Sequence, residues 1–270
     1  MKAIVIDHYA HPSKQPVSNQ ASEPKPAADE VLVEVHTAAL NFFDILQAQG
    51  KYQNQPPFPF VLGAEFAGTI SASSPIPKGC PFKPGDRVFG SAQGTYAERI
   101  AAKWHSLHPI PNGFSFEQAA GLFVTWPTSY EALVGRAQLQ PGEWCLDVIY
   151  DPVGLIKDSL KCIAWKGRAL VVGFAAGEIE KLPLNLVLLK NISIVGIHWG
   201  AYMKNDVAHV PSVWKALFEL FESGRVKPVV FSEVYQGLEQ VSAGLEALEQ
   251  RKTWGKAIVQ IKPGPKIAKL

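Results

Sequence analysis

The chain changes its hydrophobic period once, near residue 123. Before that point apolar positions alternate over short runs punctuated by Pro and Gly, which predicts strands joined by turns. In residues 30–36, Val31, Val33 and Val35 alternate with Leu32, Glu34 and His36, so one face of the predicted strand is wholly apolar. Further strands are predicted at 1–6, 61–71, 83–89 and 94–100. The second of these carries GAEFAGTI, whose small residues permit close backbone approach. A short helix is predicted over 39–49, with Asn41 near its start and Asp44 in its first turn, and 56–59 is a proline-rich loop.

From Ser115 the period lengthens. Ser115 is placed to cap a helix while Gln118 reaches back. Pro127 suits the first position of a helix over 128–137. A strand at 144–151, a helix at 156–165 stopped by Gly167, and strands at 169–172 and 191–197 follow. An amphipathic helix over 211–223 sets Val213, Leu217, Leu220 and Phe221 on one face, with Gly224 as its stop. A strand at 229–234, a helix at 238–251 and a closing strand at 256–261 end the pattern. This alternation predicts a parallel α/β sheet.

Composition narrows the partners. At 270 residues, with 47% hydrophobic and 19% charged positions, the chain can bury a sizeable core and is not of disordered type. Its net charge of +2, spread along the chain, gives no footprint for nucleic acid or an anionic membrane. Cys80, Cys145 and Cys162 lack C-x-x-C spacing, which argues for a reducing compartment and against a structural zinc site. No apolar run reaches the length of a membrane span. The start, MKAIVIDHYA, reads as a strand and not as a signal peptide. The last residues, Ala268-Lys269-Leu270, resemble the Ser-Lys-Leu peroxisomal address. They leave two expectations open, a peroxisomal protein met by an import receptor or a cytoplasmic one.

Blocks of the chain resemble one family throughout. They include Asn41-Phe42-Phe43-Asp44 with Gly50-Lys51-Tyr52, Leu62-Gly63-Ala64-Glu65-Phe66-Ala67-Gly68, Lys83-Pro84-Gly85-Asp86-Arg87-Val88 and Gly94-Thr95-Tyr96-Ala97-Glu98. Thr128-Ser129-Tyr130-Glu131-Ala132-Leu133, Leu139-Gln140-Pro141-Gly142-Glu143, Tyr150-Asp151-Pro152-Val153-Gly154, Val172-Gly173-Phe174 and Lys256-Ala257-Ile258-Val259 continue the set. In order and spacing they resemble the zinc-independent medium-chain dehydrogenase/reductase superfamily, near its NADPH:quinone oxidoreductase branch. The resemblance implies an α/β protein with a GroES-like β-barrel domain at 1–123, completed by 254–270, and a Rossmann-like cofactor domain at 124–253.

Carried over residue by residue, the resemblance makes Asn41 and Tyr52 polar groups on the nicotinamide and substrate side. It makes Thr128, Val153, Phe174, Ala175, Trp199 and Lys256 cofactor contacts or pocket walls, with NADPH as cofactor. It also implies a homodimer through the Rossmann half. An Asn or Thr at a helix start is otherwise a cap, and a large aromatic is otherwise packing. Zinc-dependent members place a Cys near Asn41 and a His in a Gly-His-Glu triplet. Here the triplet reads Gly63-Ala64-Glu65, so no zinc is expected. The cofactor then supplies the chemistry, and the protein supplies orientation and a dry cleft. His36, His105, His108 and His198 are scattered and are read as surface or packed residues.

One departure interrupts the resemblance. LQPGEWCL, from Leu139, reads as the turn and opening of a first Rossmann strand, and DVIYDP, from Asp147, as a later strand of the same sheet. The glycine-rich loop that should follow the first strand is absent, and no G-x-G-x-x-G stands elsewhere. That loop and the helix it opens would hold the pyrophosphate. The expected fold is therefore a truncated parallel sheet keeping the 4-5-6 half, with Val148, Ile149 and Tyr150 on a newly exposed edge. Two functions follow. One is an impaired NAD(P)H-dependent reductase of quinones or activated enones. The other is an inactive splice form or mis-joined product acting, if at all, as a binding module.

Overall fold

The computed structural model of the chain describes residues 1–144, 147–151, 154–174 and 179–262. By internal contacts the chain forms two units, Met1–Val124 with the stretch from Gly224 on, and Thr125–Ser223.

The first unit opens with β1 (Ala3–Ile6), β2 (Val17–Ser18) and β3 (Glu30–Ala39), then α1 (Phe42–Ala48), β4 (Phe60–Val61) and β5 (Glu65–Ile70). It continues through β6 (Arg87–Ser91), β7 (Arg99–Lys103), β8 (Leu107–Pro109) and α2 (Phe116–Ala120). The alternation read in 30–36 is the first seven of the ten residues of β3, where Val31, Val33 and Val35 are buried along with Leu32 and His36. β3 pairs antiparallel with β5 and, through its first half, with β7. Gly68 of β5 lies where a Cβ would sit 2.1 Å from the Glu34 carbonyl oxygen, so the close approach expected there is made backbone to backbone. The strand expected at 94–100 begins only at Arg99, because the backbone N–H groups of Tyr96 and Glu98 and the Tyr96 carbonyl bond to Leu62, Lys2 and Ile4 instead of continuing the β3 ladder, and Tyr96 is fully buried.

The second unit holds α3 (Thr125–Tyr130), a π-helical turn Glu131–Arg136, β9 (Val148–Asp151), α4 (Ile156–Ser159) and β10 (Arg168–Val171). Then come α5 (Leu184–Lys190), β11 (Ser193–Gly196), α6 (Tyr202–Asn205) and α7 (Val210–Glu222). Its sheet is parallel, in the order β11-β10-β9, so among the described residues β9 is an end strand paired only to β10. Apolar clusters cover both faces. One is built on Ala132, Val148, Leu170 and Ile197, the other on Ile156, Leu160, Ile163 and Ala169. Leu170 is fully buried at the centre. Leu170→Ala is expected to lose about 2–5 kcal/mol of stability, measured by denaturant unfolding.

The helix expected over 156–165 is a single turn, Ile156–Ser159, followed by tighter turns. Ile156, Leu160 and Ile163 still face the sheet, so the periodicity located the buried face and not the element. Pro127 lies inside α3, which starts at Thr125 and widens into the π-helical turn instead of continuing to 137. α5 has no counterpart in the expected elements.

The chain then returns to the first unit as β12 (Tyr235–Gln236), α8 (Val241–Glu249) and β13 (Ile258–Gln260). β13 pairs antiparallel with Thr37, Ala38 and Ala39 of β3. Val241 and Leu245 of α8 pack with Leu40 and Ile45, which puts residues 224–253 with the first unit by contact and not with the sheet of the second. The expected strand at 229–234 is reduced to one bridge between Val230 and Lys256.

Candidate functional site

Three chain segments of the first unit bring polar side chains into its interior. Asn41 ends β3's extension and caps α1 with extended backbone. Glu65 opens β5 opposite Ala39. Lys256 stands two residues before β13. The Asn41 Nδ2 donates to Glu65 Oε1 at 3.0 Å, and Lys256 Nζ donates to Asn41 Oδ1 at 2.7 Å. The Lys256 ammonium also closes an ion pair on Glu65 Oε1. Glu65 is fully buried, and its other oxygen accepts the Val124 N–H at 3.0 Å. A helix-start Asn usually turns its side chain back onto the helix. Here both ends of the carboxamide go to charged partners, and the Asn41 backbone N–H is met instead by Asp44 Oδ2 at 2.9 Å.

Asp44 is wholly buried and also accepts the Tyr96 hydroxyl at 2.5 Å. Its Oδ1 has no hydrogen-bond partner among the described residues. Burial pushes its carboxyl up to about 7, against the opposing pull of the Tyr96 and Asn41 hydrogen bonds and the Lys256 charge. Burial and the neighbouring Asp44 push the Tyr96 hydroxyl up as well.

Tyr52 is half-buried and stacks on Phe43 at 5.2 Å between ring centroids. Its hydroxyl is raised by burial first and by the Asp44 charge second. His36 stacks on Phe116 at 4.3 Å, and burial drives the His108 imidazole down to about 4. Both are packed residues.

In the second unit Thr128 lies within α3 and not at its start. Phe174 is 40% exposed and, with Gly173, lines a cavity of about 90 Å³ that Asp151 and Glu180 also reach. Those two carboxylates cover the start of α4. Asp151 accepts the N–H groups of Gly154 and Leu155, and Glu180 accepts those of Ile156 and Lys157. Trp199 is buried and stacked on Tyr202 at 4.9 Å. The Tyr202 hydroxyl donates to Glu131 Oε1, whose other oxygen meets His209 Nε2 at 2.9 Å. The ring of Trp199 is thus a packing element tied to a polar clamp. Val153, Ala175 and the Ala268-Lys269-Leu270 end lie outside the described residues.

Asn41 and Lys256, distant in sequence, are brought into direct contact. Glu65, Asp44 and Tyr96 join them and were not among the expected site residues. Glu65 stands in the Leu62-to-Gly68 block of the resemblance, as the third member of the Gly63-Ala64-Glu65 triplet. Tyr96 stands in the Gly94-Thr95-Tyr96-Ala97-Glu98 block of the resemblance and in a strand register that the structure does not keep. Among the described residues no group of three or more His, Cys, Asp or Glu side chains is placed to hold a metal ion, and no helix is long and apolar enough to cross a membrane.

Residues 27–112 match the family described as alcohol dehydrogenase GroES-like domain, and residues 130–259 the family described as zinc-binding dehydrogenase. The quinone oxidoreductase-like protein 2 homolog of Nematostella vectensis is 30% identical over 316 residues, covering 91% of this chain and 86% of its own length. Quinone oxidoreductase-like protein 2 of Mus musculus is 30% identical over 319 residues, covering 92% and 90%. Among solved structures, the quinone oxidoreductase of Thermus thermophilus, known also in complex with NADPH, has a TM-score of 0.81 at 23% identity, over 97% of this chain and 100% of the other. The Escherichia coli quinone oxidoreductase complexed with NADPH has 0.79 at 22%, over 96% and 100%. At those identities the structural likeness speaks for the fold.

Proposed function

Because the chain belongs to the medium-chain dehydrogenase/reductase superfamily, in its NADPH:quinone oxidoreductase-like branch, we propose that it is by descent a zinc-independent reductase of quinones or activated enones whose grip on NADPH is impaired. The observation that carries this reading is the Asn41–Lys256–Glu65 cluster, in which a fixed amide and a fixed ammonium stand where the sequence has neither a Cys nor a His ligand. A quinone carbonyl is electrophilic enough to accept hydride without a Lewis acid, and NADPH supplies that hydride when bound. Asn41 and Lys256 offer N–H donors to a carbonyl oxygen. The stacked Tyr52 and Phe43 rings offer an apolar wall for a flat ligand.

The residues present do not fit the pyrophosphate of NADPH. The glycine-rich loop is missing from the sequence. The N–H groups at the start of α4 are already occupied by Asp151 and Glu180, whose charge repels phosphate. A deletion accounts for this. The alignment with the Nematostella relative runs over 316 residues, more than the 270 of this chain. The same misfit favours the second reading, an inactive form serving as a binding module. A second copy docked on the sheet unit is part of the proposal, supported by its exposed Leu184, Leu188 and Leu189. A cytoplasmic or peroxisomal location rests on the C-terminal tripeptide alone.

The test is quinone-dependent oxidation of NADPH followed by absorbance. Turnover that appears only at millimolar NADPH and falls at least tenfold in Asn41→Ala supports the reductase reading. Turnover indifferent to Asn41 sinks the assigned site, and none at any NADPH concentration leaves the binding module.

A further inference from the structure

We infer that Glu65 and Lys256 are positioning residues that lock the Asn41 carboxamide in a single orientation, so that the amide presents one fixed N–H to a ligand carbonyl. The inference rests on the reading that Asn41 faces the substrate, and it assigns to Lys256 a task other than contact with the cofactor.

The orientation is dictated by charge. A carboxylate accepts only, so it must meet the amide nitrogen, and an ammonium donates only, so it must meet the amide oxygen. Glu65 Oε1 lies 3.0 Å from Nδ2 and Lys256 Nζ lies 2.7 Å from Oδ1. Rotating the amide by half a turn would set oxygen against carboxylate and nitrogen against ammonium. The two charges are paired with each other as well, so the lock adds no net charge to the site. The backbone of Asn41 is held separately by Asp44. Among the described residues the remaining Nδ2 hydrogen meets only the Ala39 carbonyl, at 3.5 Å, which is a weak partner. That hydrogen is the one left for a ligand.

Each half of the lock is itself anchored. Glu65 is held by the Val124 N–H. The Lys256 stem runs over Gly121, where a Cβ would lie 2.5 Å from Lys256 Cγ. Gly121 sits at the end of α2 with φ of −94°, a conformation open to any residue. Its lack of a side chain is therefore a matter of room for the lysine and not of backbone strain.

The arrangement gives an uncharged handle on the lock. Gly121→Ala pushes the lysine stem aside without altering any charge. Glu65→Gln/Lys256→Met removes the pair while keeping the cluster neutral, and so avoids stranding a buried charge. Lys103→Met, on an exposed ion pair with Asp29, is the control.

The experiment uses the full chain without NADPH. The Asn41 side-chain amide is followed in nitrogen–proton correlation spectra, with its signal assigned by loss in Asn41→Ser. Binding of tetramethyl-1,4-benzoquinone, whose ring carbons are blocked against thiols, is followed by calorimetry. Expected is a shifted, exchange-protected amide pair in the wild-type chain and in Lys103→Met. It collapses toward the free-amide position in Gly121→Ala and in the double variant, and the quinone Kd rises about tenfold in both. Unchanged amide signals in both perturbed variants overturn the inference, whatever the quinone does. A shifted amide that responds as expected, in a wild-type chain that binds no quinone, upholds the lock and sinks the substrate reading of Asn41. Amide signals that collapse as expected while the quinone Kd stays unchanged across the series reduce the pair to a packing feature and also overturn it.

Discussion

Asp44→Asn is expected to change how stability depends on pH more than any other single substitution in this chain. The wild-type carboxyl is pushed up from 3.8 to about 7 by complete burial. The folded protein therefore binds a proton that the unfolded chain has already released between about pH 4 and pH 7. Over that window stability falls as pH rises, because the folded state holds more protons than the unfolded one. A displacement of that size corresponds to about 4 kcal/mol at most. Asn keeps an acceptor for the Tyr96 hydroxyl and the Asn41 N–H but cannot titrate. The stability of wild type relative to Asp44→Asn should thus drop by up to about 4 kcal/mol between pH 4 and pH 8, read by denaturant unfolding at each pH. The comparison must be a difference. His108, driven down to about 4 by burial, works in the opposite direction, since the unfolded chain then binds the extra proton and stability rises from about pH 4 to 6.5. The two trends offset in the wild type and separate only in the variant. A pH-independent difference would mean that Asp44 stays ionised in the folded state.

Lys256→Met is expected to be the most damaging single change in the site. It leaves Glu65 fully buried with its charge uncompensated and takes a donor from Asn41. Breaking a buried pair by removing one partner costs about 3–5 kcal/mol, whereas replacing both by neutral groups is close to neutral. The expected result is a loss in that range for Lys256→Met and recovery of most of it in Glu65→Gln/Lys256→Met, again by denaturant unfolding. Equal losses in the single and double variants would show that the pair contributes through the lysine stem on Gly121 and not through charge.

Legibility in the sequence followed the physical range of the signal. The alternation of Val31, Val33 and Val35 is a local pattern that located β3, although the strand runs on to Ala39 and buries Leu32 and His36 of its other face as well. The parallel sheet was legible from β9, β10 and β11 because each is a short apolar run bounded by turns. The end-strand position of Val148–Asp151 matches the edge expected from the join at Leu146 and Asp147, but its side chains are not exposed, since Val148 and Asp151 are buried and Ile149 and Tyr150 partly so. The short helices were not legible. Ile156, Leu160 and Ile163 keep a helical spacing that a single turn and two tighter turns satisfy equally well. Residues 224–253 group by contact with the first unit for a related reason: α8 is amphipathic toward whichever core it meets, and that core is the one around Leu40 and Ile45, which no local pattern encodes. Asn41 and Lys256 were legible as motif members, but their contact spans more than two hundred positions and no local pattern encodes it. Glu65 shows no role in the triplet by itself, because its partners Asn41, Lys256 and Val124 all lie more than twenty positions away.

The central claim is that a member of an NADPH-dependent branch keeps its substrate-side cluster while the phosphate cradle is gone. Calorimetric titration of the purified, folded chain with NADPH tests it most directly. The account predicts a Kd of about 1 mM or weaker, equivalent to about −4 kcal/mol, because the sequence carries no G-x-G-x-x-G loop and, among the described residues, Asp151 and Glu180 fill the N–H groups at the start of α4. A Kd of about 1 μM, equivalent to about −8 kcal/mol, would contradict it and would require a phosphate site built from other residues of this chain.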